Sequence, residues 1–119
     1  MLKRYPFVKQ EGLKDCGCAC MLMILRFYNG NISIERLRDL TLTNKNGTSA
    51  YNLVSAFNEL GFYSKGMQGS INNLDSIVLP CIAHVVIDNV KHYIVIYEID
   101  FDRNSLIIAC GNTNRRMDL

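Results

Sequence analysis

The chain has no apolar run approaching the ~20 residues that a membrane-spanning helix requires, and no secretory signal, so this piece is expected neither to cross a bilayer nor to pass through one. It lacks a charge excess: 13 Lys and Arg against 11 Asp and Glu leave a net +2, which gives no reason to expect nucleic acid as a partner. Basic pairs such as Lys3-Arg4 and Arg115-Arg116 read as solvated termini. Repeats, low-complexity tracts, linkers and a Gly-rich nucleotide loop are all missing. Nor is there a disulfide framework, because the five cysteines are odd in number and three of them crowd between Cys16 and Cys20. A reducing, cytoplasmic setting follows from that usage. Histidine is scarce as well, with two in the chain, His84 and His92.

What is present is one domain's worth of chain: 119 residues, 49% of them hydrophobic, enough for a core and too few to divide. Its chemistry concentrates in Gln10-Glu11-Gly12-Leu13-Lys14-Asp15-Cys16-Gly17-Cys18-Ala19-Cys20. Polar and small residues precede Cys16. After it Ala19, Cys20, Met23, Ile24 and Phe27 recur at helical spacing, with Asp15 as the expected N-cap and Asn29-Gly30 as the stop. A thiol at a helix start meets unpaired N–H groups and the positive end of the dipole, which favour thiolate. Cys16 is therefore the candidate nucleophile.

Two further helices are expected, one capped by Ser33 with Ile34, Leu37 and Leu40 inward, one capped by Ser49 with Leu53, Val54, Phe57 and Leu60 inward and ended by Gly61. Phe62 to Gln68 reads as a short strand and Ser70 to Ile77 as one or two helical turns. Past Pro80 the texture turns β-branched and aromatic: Cys81 to Ile87, His92 to Tyr97 and Ser105 to Ala109 read as an antiparallel meander, giving an α+β domain with the cysteine helix packed on the sheet.

A cysteine nucleophile needs a base. If Asp88 to Lys91 closes a four-residue hairpin, Ile87 pairs with His92 and alternation sets the two imidazoles on opposite faces. His92, beside a turn, is the expected base; His84 reads as a core or edge histidine. Cys18, Cys20 and Cys81 read as small buried hydrophobes. A zinc site is disfavoured, since the paired Cys-x-x-Cys spacing is absent, and no metal or other cofactor is expected.

The set Gln10-x-Gly12-x-x-Asp15-Cys16-Gly17-x-Ala19-Cys20, with Met23-Ile24, Tyr28-x-Gly30, Leu79-Pro80-Cys81-Ile82-Ala83-His84 and Lys91-His92-Tyr93-Ile94-Val95-Ile96-Tyr97, resembles the bacteriocin-processing cysteine peptidases, the double-glycine leader peptidases found at the N-terminus of peptidase-containing ABC transporters. The resemblance implies a papain-like fold over residues 1–119, a single peptidase domain forming the N-terminal part of a transporter or standing alone. It implies Cys16 as nucleophile, His92 as general base and then acid, and Gln10 as an oxyanion donor together with the backbone N–H of Cys16.

The implied substrate is a precursor peptide with an amphipathic leader, cut after a double-glycine-type site. The implied partners are transmembrane and nucleotide-binding domains at the cytoplasmic side of a bacterial membrane. Gly12 and Gly17 beside the thiol would leave a narrow cleft suited to that glycine pair. One departure stands out: where the family has Ala-Asp-Pro after its last strand, this chain has Ala109-Cys110-Gly111. The third catalytic group is then Asn112, in a Cys-His-Asn arrangement, or position Cys110 is an altered site and a dyad operates. The alternative function is a weakened domain that binds leader or transporter substrate without cutting. The tail from Asn112 ends short of the family's domain, so a final strand is expected to be absent or divergent.

Overall fold

A computed structural model describes residues 5–10, 12–68, 77–110 and 113–118. Three helices precede a four-stranded sheet: α1 (Cys16–Phe27), α2 (Ile34–Thr41), α3 (Ala50–Glu59), then β1 (Cys81–Ile87), β2 (Val90–Asp100), β3 (Ser105–Cys110) and β4 (Thr113–Asp118). A single 3-10 turn, Leu13–Asp15, leads into α1.

The helix boundaries follow local chemistry. Ser33 Oγ accepts the N–H of Arg36 and Ser49 Oγ that of Asn52, each satisfying one orphan donor of a first turn. α1 ends where Asn29 turns left-handed (φ 67°) and Gly30 donates to Leu25 O at 2.7 Å. α3 ends at Gly61, whose φ of 93° an L side chain rarely adopts.

α1 is buried around its whole circumference from Gly17 to Leu25. A helix without a polar face has to be covered on all sides. Accordingly α2 and α3 lie against it on one side, and the sheet covers the other with Tyr93, Val95, Tyr97 and Ala109. The opposite face of the sheet carries a second apolar cluster built on Ile94, Ile96, Leu106 and Ile108. The α+β expectation, with a cysteine helix on an antiparallel sheet, holds.

The sheet is a simple meander, β1-β2-β3-β4, antiparallel throughout. The first hairpin is tighter than expected. Asp88 and Asn89, both at positive φ, form a two-residue turn, so Ile87 pairs with Val90 and His84 with Tyr93. The register moves by two residues, which preserves parity, and the imidazoles still fall on opposite faces.

One strand forms that was not read from the sequence, and one expected strand does not form. Thr113–Asp118, although polar, forms β4, because the free edge of β3 supplies the pairing that side chains do not signal. Phe62 to Gln68 is not a strand. Instead Ser64 donates its N–H to Asn58 Oδ1 and its hydroxyl to Val54 O, and Phe62 packs edge-on against Phe57 and Tyr28, pinning the segment to α3. The turns expected over 70–76 lie outside the described residues. The N-terminal arm crosses the sheet, with Tyr5 stacked on Tyr97 at 4.4 Å and the Tyr97 hydroxyl donating to Pro6 O.

Candidate active site

Cys16 is the first residue of α1 and remains partly exposed while the eight residues after Gly17 are sealed in the core. Among the described residues its thiol makes no hydrogen bond. Asp15 is not the expected cap: its side chain makes no capping bond. Its carboxylate, 1% exposed, instead receives two parallel bonds from the Arg38 guanidinium, Nε to Oδ1 at 3.0 Å and a terminal nitrogen to Oδ2 at 2.6 Å. A buried carboxylate gains far more from a bidentate cation than from the one N–H a cap offers. Arg38 holds the Asp15 carboxyl below the ordinary carboxylate range, against the desolvation that would raise it.

Behind the nucleophile, Gly17 meets the sheet. A Cβ built there would lie 3.3 Å from Thr48 Cβ and 3.4 Å from the Tyr93 ring. The missing side chain thus admits close packing inside the protein, against Thr48 and Tyr93. Gly12 would meet only Asp15 Oδ2, at an ordinary 3.6 Å. The Tyr93 hydroxyl donates to Thr48 O at 2.8 Å, and Thr48 in turn joins a hydroxyl chain through Thr43 and Thr41 to the buried Cys18 thiol. Burial, with the neighbouring Cys16 and Cys20 thiols, pushes the Tyr93 phenol up.

The Gly17–Tyr93 contact joins the chain neighbours of the two candidate residues, Cys16 on one side and His92 on the other. His92 is half-buried in β2 opposite Val85. Alternation gives it the face of Ile94, Ile96 and Cys110, so His92 and Cys110 share one side of the sheet, the one turned away from α1. His84 is exposed on the edge strand β1 and lies on the helix-bearing face, stacked on Tyr93 at 4.3 Å and 12°. Asn112 lies outside the described residues. Gln10, half-buried, donates Nε2–H to Gly12 O at 2.8 Å, which orients its amide nitrogen along the loop that leads to the thiol.

The remaining cysteines are placed as small hydrophobes. Cys18 and Cys20 are fully buried, and burial pushes the Cys20 thiol well up, with the Cys16, Cys110 and Cys18 thiols adding to it. Burial likewise raises Cys81. The sequence reading missed Arg38. Its signal was available: Arg38 follows the inward-facing Ile34 by four residues, a charge on the buried stripe of a short helix.

Comparison with known proteins adds a family. A model described as the Peptidase C39 family matches residues 4–118. The lactococcin-G-processing and transport ATP-binding protein of Lactococcus lactis subsp. lactis is 38% identical over 98 residues, which is 80% of this chain and 14% of that protein. The mesentericin-Y105 transport/processing ATP-binding protein of Leuconostoc mesenteroides is 36% identical over 110 residues, 90% of this chain and 15% of that protein. The chain thus spans only a small part of the length of the curated relatives it matches.

Among solved structures, the peptidase domain of Streptococcus ComA, a bi-functional ABC transporter involved in a quorum sensing pathway, superposes with a TM-score of 0.87 at 32% identity, over 97% of this chain and 87% of that one. A double glycine motif protease from an AMS/PCAT transporter, in complex with its leader peptide, shares the fold at TM-score 0.86 and 22% identity, over 97% of this chain and 80% of that one.

Proposed function

The chain belongs to the peptidase C39 family, and from that membership we propose that it is a cysteine endopeptidase, part of a peptide-exporting ABC transporter, that removes a leader from a secreted-peptide precursor after a double-glycine-type site. The observation that carries the reading is the partly exposed Cys16 thiol at the start of a twelve-residue helix whose residues from Gly17 to Leu25 are buried. Among the described residues no helix is long and apolar enough to cross a membrane. Membrane attachment at the cytoplasmic side would therefore come from other domains of such a transporter.

In the proposed mechanism the His92 imidazole takes the Cys16 proton and the thiolate attacks the scissile carbonyl carbon. The resulting oxyanion accepts hydrogen bonds from the Cys16 backbone N–H and from Gln10 Nε2, whose second N–H is not needed by Gly12 O. The tetrahedral intermediate collapses as imidazolium protonates the departing amine, leaving a thioester; water, deprotonated by the same imidazole, releases the leader and restores the thiol. The Gly17–Tyr93 contact sets β2 beside the start of α1, but alternation turns the His92 side chain to the other face of the sheet, so the choice of His92 as base rests on the family resemblance.

A second assignment has a specific observation behind it. His84 stacks on Tyr93 on the helix-bearing face, so the base can be tested at both positions. A synthetic precursor with its leader and a Gly-Gly end should be cut after the second glycine. Cys16→Ser and His92→Ala should each abolish the cut, and His84→Ala should leave most of it. Gln10→Ala should lower kcat by ~10²–10³ with KM nearly unchanged. Activity surviving Cys16→Ser would end the peptidase reading. Activity lost in His84→Ala and kept in His92→Ala would move the base. If the wild-type protein cleaves under no condition while Cys110→Asp does, the domain as it stands binds leader without cutting.

A further inference from the structure

The ion pair directly before the nucleophile is costly to bury, and α1 does not need it as a cap. Asp15 is adjacent in sequence to Cys16, its side chain 2% exposed, and among the described residues it pairs with Arg38 of α2, itself 27% exposed, at 2.6 Å. A carboxylate on the residue next to a thiol opposes the thiol's ionisation, because two negative charges would then share one turn of backbone. The protein nonetheless keeps one there.

We propose that Arg38 is a positioning residue for Cys16: it cancels the Asp15 charge beside the nucleophile and, through the two-pronged bond, ties the 3-10 turn that presents the thiol to α2. The inference rests on Cys16 as the reactive thiol and asks what keeps it so. The geometry suits both tasks. The guanidinium uses two donors on two carboxylate oxygens, which fixes the plane of the carboxylate as well as its charge. The Arg38 carbonyl is itself held, accepting Thr43 N–H at 3.0 Å and the Thr41 hydroxyl at 3.4 Å, so the anchor at the far end of α2 is rigid.

The other ionisable groups around Cys16 do not substitute for this balance. Lys14 is exposed on the same turn. Cys18 and Cys20 on α1 and Tyr93 on β2 are buried, and the Cys20 and Tyr93 groups are raised so that they stay uncharged through neutral pH. His92 on β2, His84 on β1 and Cys110 on β3 complete the set. Among the described residues, Asp15 and Arg38 thus form the paired charges of opposite sign on the turn that leads into Cys16, with Lys14 exposed beside them.

That opposition gives a test which a merely structural role would fail. The rate of Cys16 alkylation by iodoacetamide is followed by mass mapping from pH 5 to 10. Removing Arg38 by Arg38→Gln strips the carboxylate of its bidentate partner, and the pH midpoint of alkylation should rise by about one unit, roughly tenfold slower labelling at pH 7, the effect of one unit charge on the neighbouring residue in a partly solvated site. Asp15→Asn leaves the guanidinium, and the midpoint should fall. The double variant should return close to the wild-type value.

Circular dichroism identifies any variant that fails to fold. Arg38→Lys then stands in, keeping the charge but losing the fork: stability should fall while the midpoint stays. Shifts of the same sign in Asp15→Asn and Arg38→Gln, a midpoint in Asp15→Asn equal to or above wild type, or a rise in Arg38→Lys as large as that expected for Arg38→Gln would overturn the proposal. These rates need no substrate, so they fail or succeed independently of the cleavage experiment.

Discussion

Gly17→Ala sets helix propensity against packing at the residue after the nucleophile. Propensity alone favours the change by up to ~1 kcal/mol, since glycine forfeits more backbone freedom than alanine when a helix forms. The structure predicts the reverse. The new Cβ would sit 3.3 Å from Thr48 Cβ, 3.4 Å from the Tyr93 ring and 3.5 Å from Thr48 Oγ1, so the first turn of α1 or both neighbours must yield by a few tenths of an ångström. Neither neighbour moves freely: the Tyr93 hydroxyl is bonded to Thr48 O, and the Thr48 hydroxyl to Thr43.

Overpacking of this kind costs ~1–3 kcal/mol. Set against the propensity gain, the net is a loss of about 0–2 kcal/mol, or a Tm lower by up to ~8 °C for a domain of this size. The more telling readout is kcat on the leader-bearing peptide. A shift at Gly17 moves Cys16 with it, and such misplacement should lower kcat by ~10-fold or more with KM little changed. Thr48→Gly, which removes the nearest atom, should recover part of that kcat loss in the double variant. A Tm that rises by several degrees in Gly17→Ala with kcat intact would refute the reasoning, because it would mean that the α1–Tyr93 contact has room for a methyl group.

Acid stability tests the Asp15–Arg38 pair in a different way. The folded-state pKa of Asp15 is depressed, so its contribution is fully present above the ordinary value of 3.8 and is lost as pH falls through the lower folded value. Urea titrations from pH 7 to pH 2 should show stability declining on the acid side of 3.8, and Asp15→Asn should remove part of that decline; an unchanged slope would contradict the pairing. Thiol mapping under native conditions should find Cys16 labelled first and Cys18 and Cys20, both 0% exposed, only after unfolding. Early modification of Cys18 or Cys20 would show that α1 does not seal its own core.

Much of this was written in the sequence because it depends on neighbours along the chain. Ser33 and Ser49 announce their helices, since a cap is a bond between residues three apart, and the runs from Cys81 to Ile87 and from Ser105 to Ala109 announce strands, since alternation and β-branching act within the segment. Cys16 at a helix start is likewise local. The parity that separates His84 from His92 survived even though the hairpin turn was two residues shorter, because parity depends only on whether the register shift is even.

The tertiary structure decided what depends on partners far along the chain. Asp15 looked like a cap until α2 brought Arg38 to it across 23 residues, and a buried charge takes the strongest available counter-ion. That Gly17 is packed against Thr48 and Tyr93 could be known only once those two residues had met α1. Thr113–Asp118 became a strand only because β3 offered an edge, and the segment after α3 became none because Ser64 found its partners on α3 itself. Local free energies of a few tenths of a kcal/mol per residue choose helix or strand, whereas burial of a charge or closure of a sheet edge carries several times more and is settled only when distant segments meet.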